Sequence, residues 1–472
     1  MSQSLPQRVS PAALRLWLKE RVYDSRALQL PYRSWTDMQS RVALFRSQPY
    51  EAARRMLHLW RHLGTEGAGA HRVNYLMRII RQNCYRDGAL VPAADNRLRQ
   101  DFIRSPQGIE LRRLYGALAP EHRVRLRFPN DDDPERQGDL IILKRYDEAS
   151  GERGVILLLY GEAMAAFASV FDLAKLASRY SIVLETSGWG YQDARFFLYL
   201  GSDLDVIVQS PRIQDFEFVQ NLQSNLIPVR VGSGEWVDPE TFRLRAPGKD
   251  CEFDVVMVAA WDPLKRHELL FRALARLKQE RDKPLRLALI GYPLGWTREP
   301  VENLLRRYDL TNDCTIFEKI PHADVARVVS ESKVSLLLSR QEGSNRSVYE
   351  SMFCGTPVIV YGDHRGINLD HVNEHSGLLA DDNELADAIA KIVNHPEAFD
   401  PRGWALKNIG YENATKGVNE ALKQSAQRRG LPWTRDIVAK RNAPNLRYAT
   451  PGVYKEFESE YERLSELLLA ID

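Results

Sequence analysis

Arg340-Gln341-Glu342-Gly343-Ser344-Asn345-Arg346-Ser347-Val348-Tyr349-Glu350 follows the apolar run Val334 to Leu338 and precedes Gly355-Thr356-Pro357-Val358-Ile359-Val360. The stretch reads as strand, loop, helix, strand. Its loop carries a carboxylate, then a glycine with small polar neighbours. Its helix carries a second carboxylate eight residues after the first. Such a loop suits a sugar joined to a phosphate. A glutamate accepts hydrogen bonds from sugar hydroxyls, and backbone N–H groups at a helix start hold phosphate oxygens. The plain alternative makes Glu342 a loop charge and Glu350 a solvated helix residue. The strand–loop–helix setting favours a site.

Outward from this stretch, the second half of the chain alternates regularly. Strand runs fall at Val255 to Ala259, Leu285 to Ile290, Thr315 to Phe317, Val334 to Leu338 and Pro357 to Val360, with a shorter one at Gly377 to Ala380. Helical stretches intervene at His267 to Gln279, Glu299 to Tyr308, Ala323 to Ser330, Ser347 to Phe353 and Glu384 to Val393. Strict alternation predicts a doubly wound parallel sheet. In the order 3-2-1-4-5-6, strands one and four are neighbours at the switch point, where ligands bind beyond the carboxyl ends. The loop after strand one holds Asp262, Lys265 and Arg266. The loop after strand four holds Arg340, Glu342 and Gly343. Cations from both loops and the Glu342 carboxylate should then converge on one crevice.

The first half differs. Residues 10–120 carry helical patterns, as at Ala12 to Arg21 and Glu51 to Leu63, punctuated by Pro31, Pro49, Pro92 and Pro106. From about residue 138, apolar runs appear at Leu140 to Leu143, Val155 to Tyr160, Ile182 to Leu184 and Val206 to Val208, with a helical stretch at Ala163 to Arg179. This predicts an α/β domain. Gly232-Ser233-Gly234-Glu235-Trp236-Val237-Asp238-Pro239 reads as an interdomain crossing, and Val453 to Ile471 as a helix packing back on the body.

The 472 residues suffice for roughly three domains. The longest apolar runs are too short to span a bilayer, and no signal pattern opens the chain. Cys84, Cys251, Cys314 and Cys354 are scattered, with no zinc-site spacing. A cytoplasmic setting follows as the simplest inference. The net charge of +2 hides an imbalance: residues 1–128 hold 23 Arg plus Lys against 10 Asp plus Glu. Only Lys19 among the 23 is lysine. An Arg-dominated arm fits an anionic partner, such as a phospholipid surface or a phosphorylated acceptor, or else solvated helix faces. Nucleic acid is the weaker choice, since no RNA-binding aromatic pattern accompanies the arginines.

The signature Glu342 to Glu350 followed by Gly355-Thr356-Pro357-Val358 resembles that of the retaining glycosyltransferases of family 4, the group-1 class with the GT-B fold. Asp262-Pro263-Leu264-Lys265-Arg266-His267 resembles the family's phosphate-binding segment. Leu287-Ala288-Leu289-Ile290-Gly291 resembles its second strand, and Ser376-Gly377-Leu378-Leu379 its late T-G-L-L segment. The likeness covers roughly residues 225–400. It implies that Lys265 holds the diphosphate of a nucleotide sugar and Glu342 bonds the donor sugar. Glu350 would take the ribose hydroxyls, and the amides of Gly343, Ser344 and Asn345 would cradle phosphate oxygens. Arg340 is a further donor-binding candidate. The chain departs from the family at Ala260, where an arginine is usual, and Arg266 is expected to supply the missing cation. The family's glycine-rich acceptor loop has only a faint echo at Gly161-Glu162, with Thr186-Ser187-Gly188-Trp189-Gly190 as a further candidate. His267, His322 and His364 read as cap or loop residues, and Trp189 and Tyr191 as packing.

The expected organisation is an Arg-rich helical module (1–128), an N-terminal Rossmann-like acceptor domain (129–240), a C-terminal Rossmann-like donor domain (241–400) and a helical tail (401–472). The expected activity is transfer of a sugar, with retention, from a nucleotide-diphosphate donor to a saccharide or lipid-linked acceptor, as in surface polysaccharide synthesis. No metal or other cofactor is expected, and the setting is cytoplasmic or peripheral at the inner membrane face. The alternative is an inactive nucleotide-sugar-binding relative that serves as an assembly partner.

Overall fold

The computed structural model describes residues 26–63, 69–126, 133, 135–187, 193–245, 250–343, 345–443 and 445–470. The expected helix at Ala12 to Arg21 lies outside the described residues, as do Gly188, Trp189, Gly190 and Tyr191 of the second loop candidate.

Six described helices come first: α1 (Arg26–Phe45), α2 (Pro49–Leu63), α3 (Gly69–Cys84), α4 (Arg97–Arg104), α5 (Pro106–Gly116) and α6 (Pro120–Arg125). Short polar side chains start two of them. Asn96 accepts from the Arg99 amide and Ser105 from the Gly108 amide, with Pro106 at the first position of α5.

The first sheet contains β1 (Leu140–Lys144), β2 (Gly154–Leu159), β3 (Tyr180–Glu185), β4 (Val206–Gln209) and β5 (Leu226–Val229). They lie side by side in chain order, β1 antiparallel to β2 and the rest parallel. The helices α7 (Tyr160–Val170), α8 (Leu173–Ala177) and α9 (Ile213–Asn221) lie on the crossovers. The apolar runs mark β1 to β4. The fifth strand carries Pro228, which removes a ladder donor and hides the strand from pattern reading. It survives because β5 is an edge. The strand order never reverses among the described strands, so this Rossmann-like sheet winds in one direction.

The second sheet contains β6 (Phe253–Val258), β7 (Leu287–Gly291), β8 (Cys314–Glu318), β9 (Ser332–Leu337), β10 (Val358–Tyr361) and β11 (Gly377–Ala380). The helices α10 (His267–Glu280), α11 (Arg298–Arg307), α12 (His322–Ser330), α13 (Ser347–Phe353) and α14 (Leu385–Asn394) alternate with them. All pairings are parallel, in the order β8-β7-β6-β9-β10-β11. Numbered within the sheet, this is 3-2-1-4-5-6, so the switch point falls between β6 and β9 as expected. The central strands are apolar on both faces because helices cover both sides.

The chain then crosses back. Helix α15 (Pro401–Asn408) packs beside α13, whereas α16 (Tyr411–Arg428) and α17 (Glu458–Ser465) return to the first sheet. One core joins Leu57, Ile79 and Phe102 of the early helices to Ile156, Val183 and Ile207 of the sheet. Val418, Leu422 and Leu464 of the last helices belong to the same core. The early helices therefore share the first sheet's core instead of forming a separate module, and the tail completes that core. The closing segment begins as a single tight turn, Val453–Phe457, before α17. Among the described residues, no helix is long and apolar enough to cross a membrane.

Candidate functional site

The carboxyl ends of β6 and β9 bring together two residues 77 positions apart in the chain. Lys265 Nζ lies 2.5 and 2.6 Å from the two oxygens of Glu342. Asp262 shapes the lysine's loop by accepting from the Leu264 amide at 2.8 Å. The Glu342 carboxylate also accepts from Ser339 Oγ at 2.7 Å. Its backbone is clamped from the loop after β10. The Glu342 amide donates to the Arg365 carbonyl, and the Arg365 amide donates to Arg340, each at 2.9 Å. Gly366 makes this clamp possible. Its φ is +134°, and a Cβ there would sit 2.4 Å from the Glu342 carbonyl oxygen. Lys265 and Glu342 side chains are 20% and 10% exposed, so the pair is held in a crevice with an open side.

The other expected residues separate into those the fold brings to the crevice and those it uses elsewhere. Arg266 takes a left-handed backbone, φ +63°, as the first cap of α10. Its guanidinium donates to the Leu338 carbonyl at 3.0 Å, pairs with Asp382 and lies over the Tyr361 ring. It fastens the end of β9 to the end of β10 and to the loop after β11. Two nitrogens of the guanidinium that was expected to replace the cation missing at Ala260 are thus engaged by the fold. Arg340 is two-thirds exposed and 3.9 Å from the same Asp382. Ser344 lies outside the described residues. The Gly343 and Asn345 amides meet no acceptor among the described residues. The Asn345 side chain accepts from the Val348 amide at 3.2 Å, and so helps to start α13.

Glu350 lies on the buried face of α13, 7% exposed. No described residue hydrogen-bonds its carboxyl. Burial pushes its pKa up to about 7, and Arg346 only partly opposes this. The solvated-helix reading of Glu350 does not hold.

Two neighbours escaped pattern reading. Ser339 is one. The other is His364, fully buried in the loop after β10, whose Nδ1 donates to the Ser339 carbonyl at 2.7 Å. His267, by contrast, is buried among Trp261 and Phe271. Burial, aided by Lys265, lowers its pKa to about 4 and keeps it neutral. Among the described residues, no group of three or more His, Cys, Asp or Glu is arranged to hold a metal ion.

The carboxyl edge of the first sheet closes over this crevice's flank. Arg230, just past β5, donates to Asn368 at 2.7 Å and pairs with Asp370 at 2.8 Å. Gly234, in the crossing, presses on the signature loop: a Cβ there would lie 2.0 Å from the Asn345 carbonyl oxygen. Arg346 donates to the Asn442 carbonyl at 2.8 Å. Asn442 in turn donates to Glu185, at the end of β3, at 2.7 Å. Lys440 pairs with the same Glu185 at 2.7 Å, both side chains fully buried, and its ammonium sits 4.0 Å over the Trp236 ring. Burial lowers the Lys440 pKa to about 8, against the pull of Glu185.

Two Rossmann-like domains with facing carboxyl edges make the fold GT-B. Residues 241–403 match the family model described as glycosyl transferases group 1. That match spans the second sheet and both carboxylate-bearing loops. Comparison with curated proteins gives no match. Among solved structures, the chain is similar to sucrose-phosphate synthase from Thermosynechococcus elongatus, at 21% identity and TM-score 0.44, covering 58% of this chain and 73% of that chain. It is also similar to Anabaena Alr3699/HepE in complex with UDP, at 16% identity and TM-score 0.45, covering 57% and 78%. A third is the pneumococcal O-GlcNAc transferase GtfA in complex with UDP and GlcNAc, at 14% identity and TM-score 0.42, covering 57% and 56%.

Proposed function

We propose that the chain is a retaining glycosyltransferase of family 4 that moves a sugar from a nucleotide diphosphate to a saccharide or lipid-linked acceptor, in surface polysaccharide synthesis. The observation that carries this reading is the meeting of Lys265 and Glu342 at the switch point, inside the segment that matches group 1 glycosyl transferases. Transfer needs negative charge on the leaving diphosphate to be stabilised as it grows. Lys265 is the cation at hand. The amides of Gly343 and Asn345, without an acceptor among the described residues, add hydrogen-bond donors. No metal ion enters this reading. Without donor, Lys265 and Glu342 neutralise each other. A bound diphosphate draws Lys265 toward itself and frees one Glu342 oxygen for a sugar hydroxyl, while Ser339 keeps the carboxylate in place. Glu350, buried and without a hydrogen-bond donor of its own, suits the two ribose hydroxyls. The second domain thus takes the donor, and the edge of the first sheet takes the acceptor.

The test is a melting-temperature screen against UDP-, GDP- and ADP-sugars, then turnover with a labelled donor and assignment of the product's anomeric configuration. A bound donor raises apparent stability by mass action. Donor binding without transfer or slow hydrolysis, over a broad acceptor panel, would make the chain a nucleotide-sugar-binding partner instead. An inverted product would remove retention.

A further inference from the structure

Helix α1 carries apolar bulk on both sides. Its fully buried residues are small, Thr36, Ser40 and Ala43 being at most 5% exposed, with the half-buried Tyr32 and Leu44 packed beside them on the core. The hydroxyls are satisfied locally, Thr36 donating to the Tyr32 carbonyl at 2.9 Å and Ser40 to the Ala52 carbonyl at 3.0 Å. Its outer side is apolar as well: Leu28 is 47% exposed, Trp35 55%, Met38 47%, Val42 42% and Phe45 91%. At 100° per residue these five fall within an arc of about 100°, the width of an apolar face that normally meets a core. The stripe is about 26 Å long at 1.5 Å per residue.

Charge says what covers it. The hairpin of α1 and α2, residues 26–63, holds seven arginines and no lysine against only Asp37 and Glu51. Arg46 borders the stripe on one edge, and Arg41, 70% exposed, lies beyond the other. A cleft of about 290 Å³ opens beside the stripe between the two helices, with Trp35, Met38 and Val42 on one wall and Arg46 and Arg55 at its rim. A second copy of the chain would set two cationic surfaces face to face. An anionic lipid surface satisfies both features, with headgroup phosphates on the arginines and acyl chains on the stripe.

We propose that α1 lies in the plane of an anionic membrane surface, with Leu28, Trp35, Met38, Val42 and Phe45 immersed and the flanking arginines on the headgroups. This goes beyond the transfer reaction and does not depend on it. The helix is the first described element of the domain that would take the acceptor, so a lipid-linked acceptor would be met at the same surface.

The experiment is co-sedimentation of the full chain with vesicles of phosphatidylcholine alone or mixed with phosphatidylglycerol, at low and high salt. The wild type should sediment with the acidic vesicles and be released as salt rises. The variant Met38→Glu/Phe45→Glu should lose about tenfold or more of that binding. It should melt with the wild type, because both side chains already face solvent. Failure of the wild type to bind acidic vesicles overturns the proposal, as does equal binding to both compositions. Undiminished binding of the double variant also overturns it. So does a wild-type dimer in light scattering that the double variant dissociates, since the stripe would then be covered by a second copy.

Discussion

Glu350→Gln is expected to make the protein more stable and less able to bind a donor. In the fold, the Glu350 carboxyl titrates near 7; in the unfolded chain it titrates at its ordinary 4.5. A group whose folded value lies above its unfolded value keeps its proton longer in the native state. The native state is then favoured below pH 4.5, loses that advantage as pH rises from 4.5 to about 7, and gains nothing back beyond. At 1.36 kcal/mol per pH unit, the loss is roughly 3 kcal/mol by pH 8. Glutamine has the same shape and no charge to bury, and no described partner of the carboxyl is lost. Its amide still leaves water, so the net gain at pH 8 should be about 1–3 kcal/mol. At pH 5 the two proteins should be nearly equal. The assay is urea unfolding of both proteins from pH 5 to 8.5. The difference between them isolates Glu350 from other shifted groups such as Asp215, which burial raises to about 7. In parallel, calorimetric donor affinity of the wild type should weaken as pH falls below about 7, by up to tenfold per pH unit, since the carboxylate must be ionised to accept ribose hydroxyls. The variant should bind weakly at every pH. A variant less stable than wild type at pH 8, by an amount independent of pH, would show that Glu350 is ionised and held by a partner, and would refute the reasoning.

Three further outcomes are expected. Lys265→Met should raise the donor dissociation constant by about tenfold to a hundredfold in calorimetry, the worth of roughly 1.5–3 kcal/mol for a charge-assisted phosphate bond; an unchanged constant would take Lys265 out of the site. Arg266→Ala should cost about 1–3 kcal/mol in stability by freeing Asp382 and the Leu338 carbonyl, with a smaller effect on donor affinity. A donor defect as large as that of Lys265→Met, at unchanged melting temperature, would return Arg266 to the diphosphate. Lys440→Met should cost about 3–5 kcal/mol in urea unfolding, because it leaves Glu185 buried without its cation; a loss below about 1 kcal/mol would mean that the Asn442 and Gln209 amides satisfy the carboxylate.

The second sheet was legible because parallel strands covered on both faces appear as unbroken apolar runs, with amphipathic helices between them. Counting those strands was enough to bring Lys265 toward Glu342. The edge strand Leu226–Val229 was not legible, since Pro228 argues against a strand unless its edge position is known. Arg266 shows a different limit. Its place beside Lys265 suggested a shared ligand, but a guanidinium goes where its rotamer finds acceptors, and Tyr361 at the end of β10 and Asp382 after β11 are brought near only by the folded sheet. His364 acts through the Ser339 main-chain carbonyl, and Ser339 reaches Glu342 by a single hydroxyl, so neither leaves a residue pattern to read. Asn345 did leave one, a short polar side chain just before a helix. The helical character of residues 10–120 was visible in their periodicity, and the described helices among them merge with the first sheet through contacts far apart along the chain.

The shared core has a consequence for the order in which the protein is made. Helices α16 and α17, whose Val418, Leu422 and Leu464 close the first core, leave the ribosome only after the second sheet's domain. The second sheet's core contains no residue beyond Ile409. Domains ordinarily fold in the order of synthesis. Here the domain that begins first must wait, with part of its apolar surface uncovered, while the later one finishes ahead of it. A chain stalled or cut shortly after residue 410 would therefore hold a finished second domain and an unfinished first one.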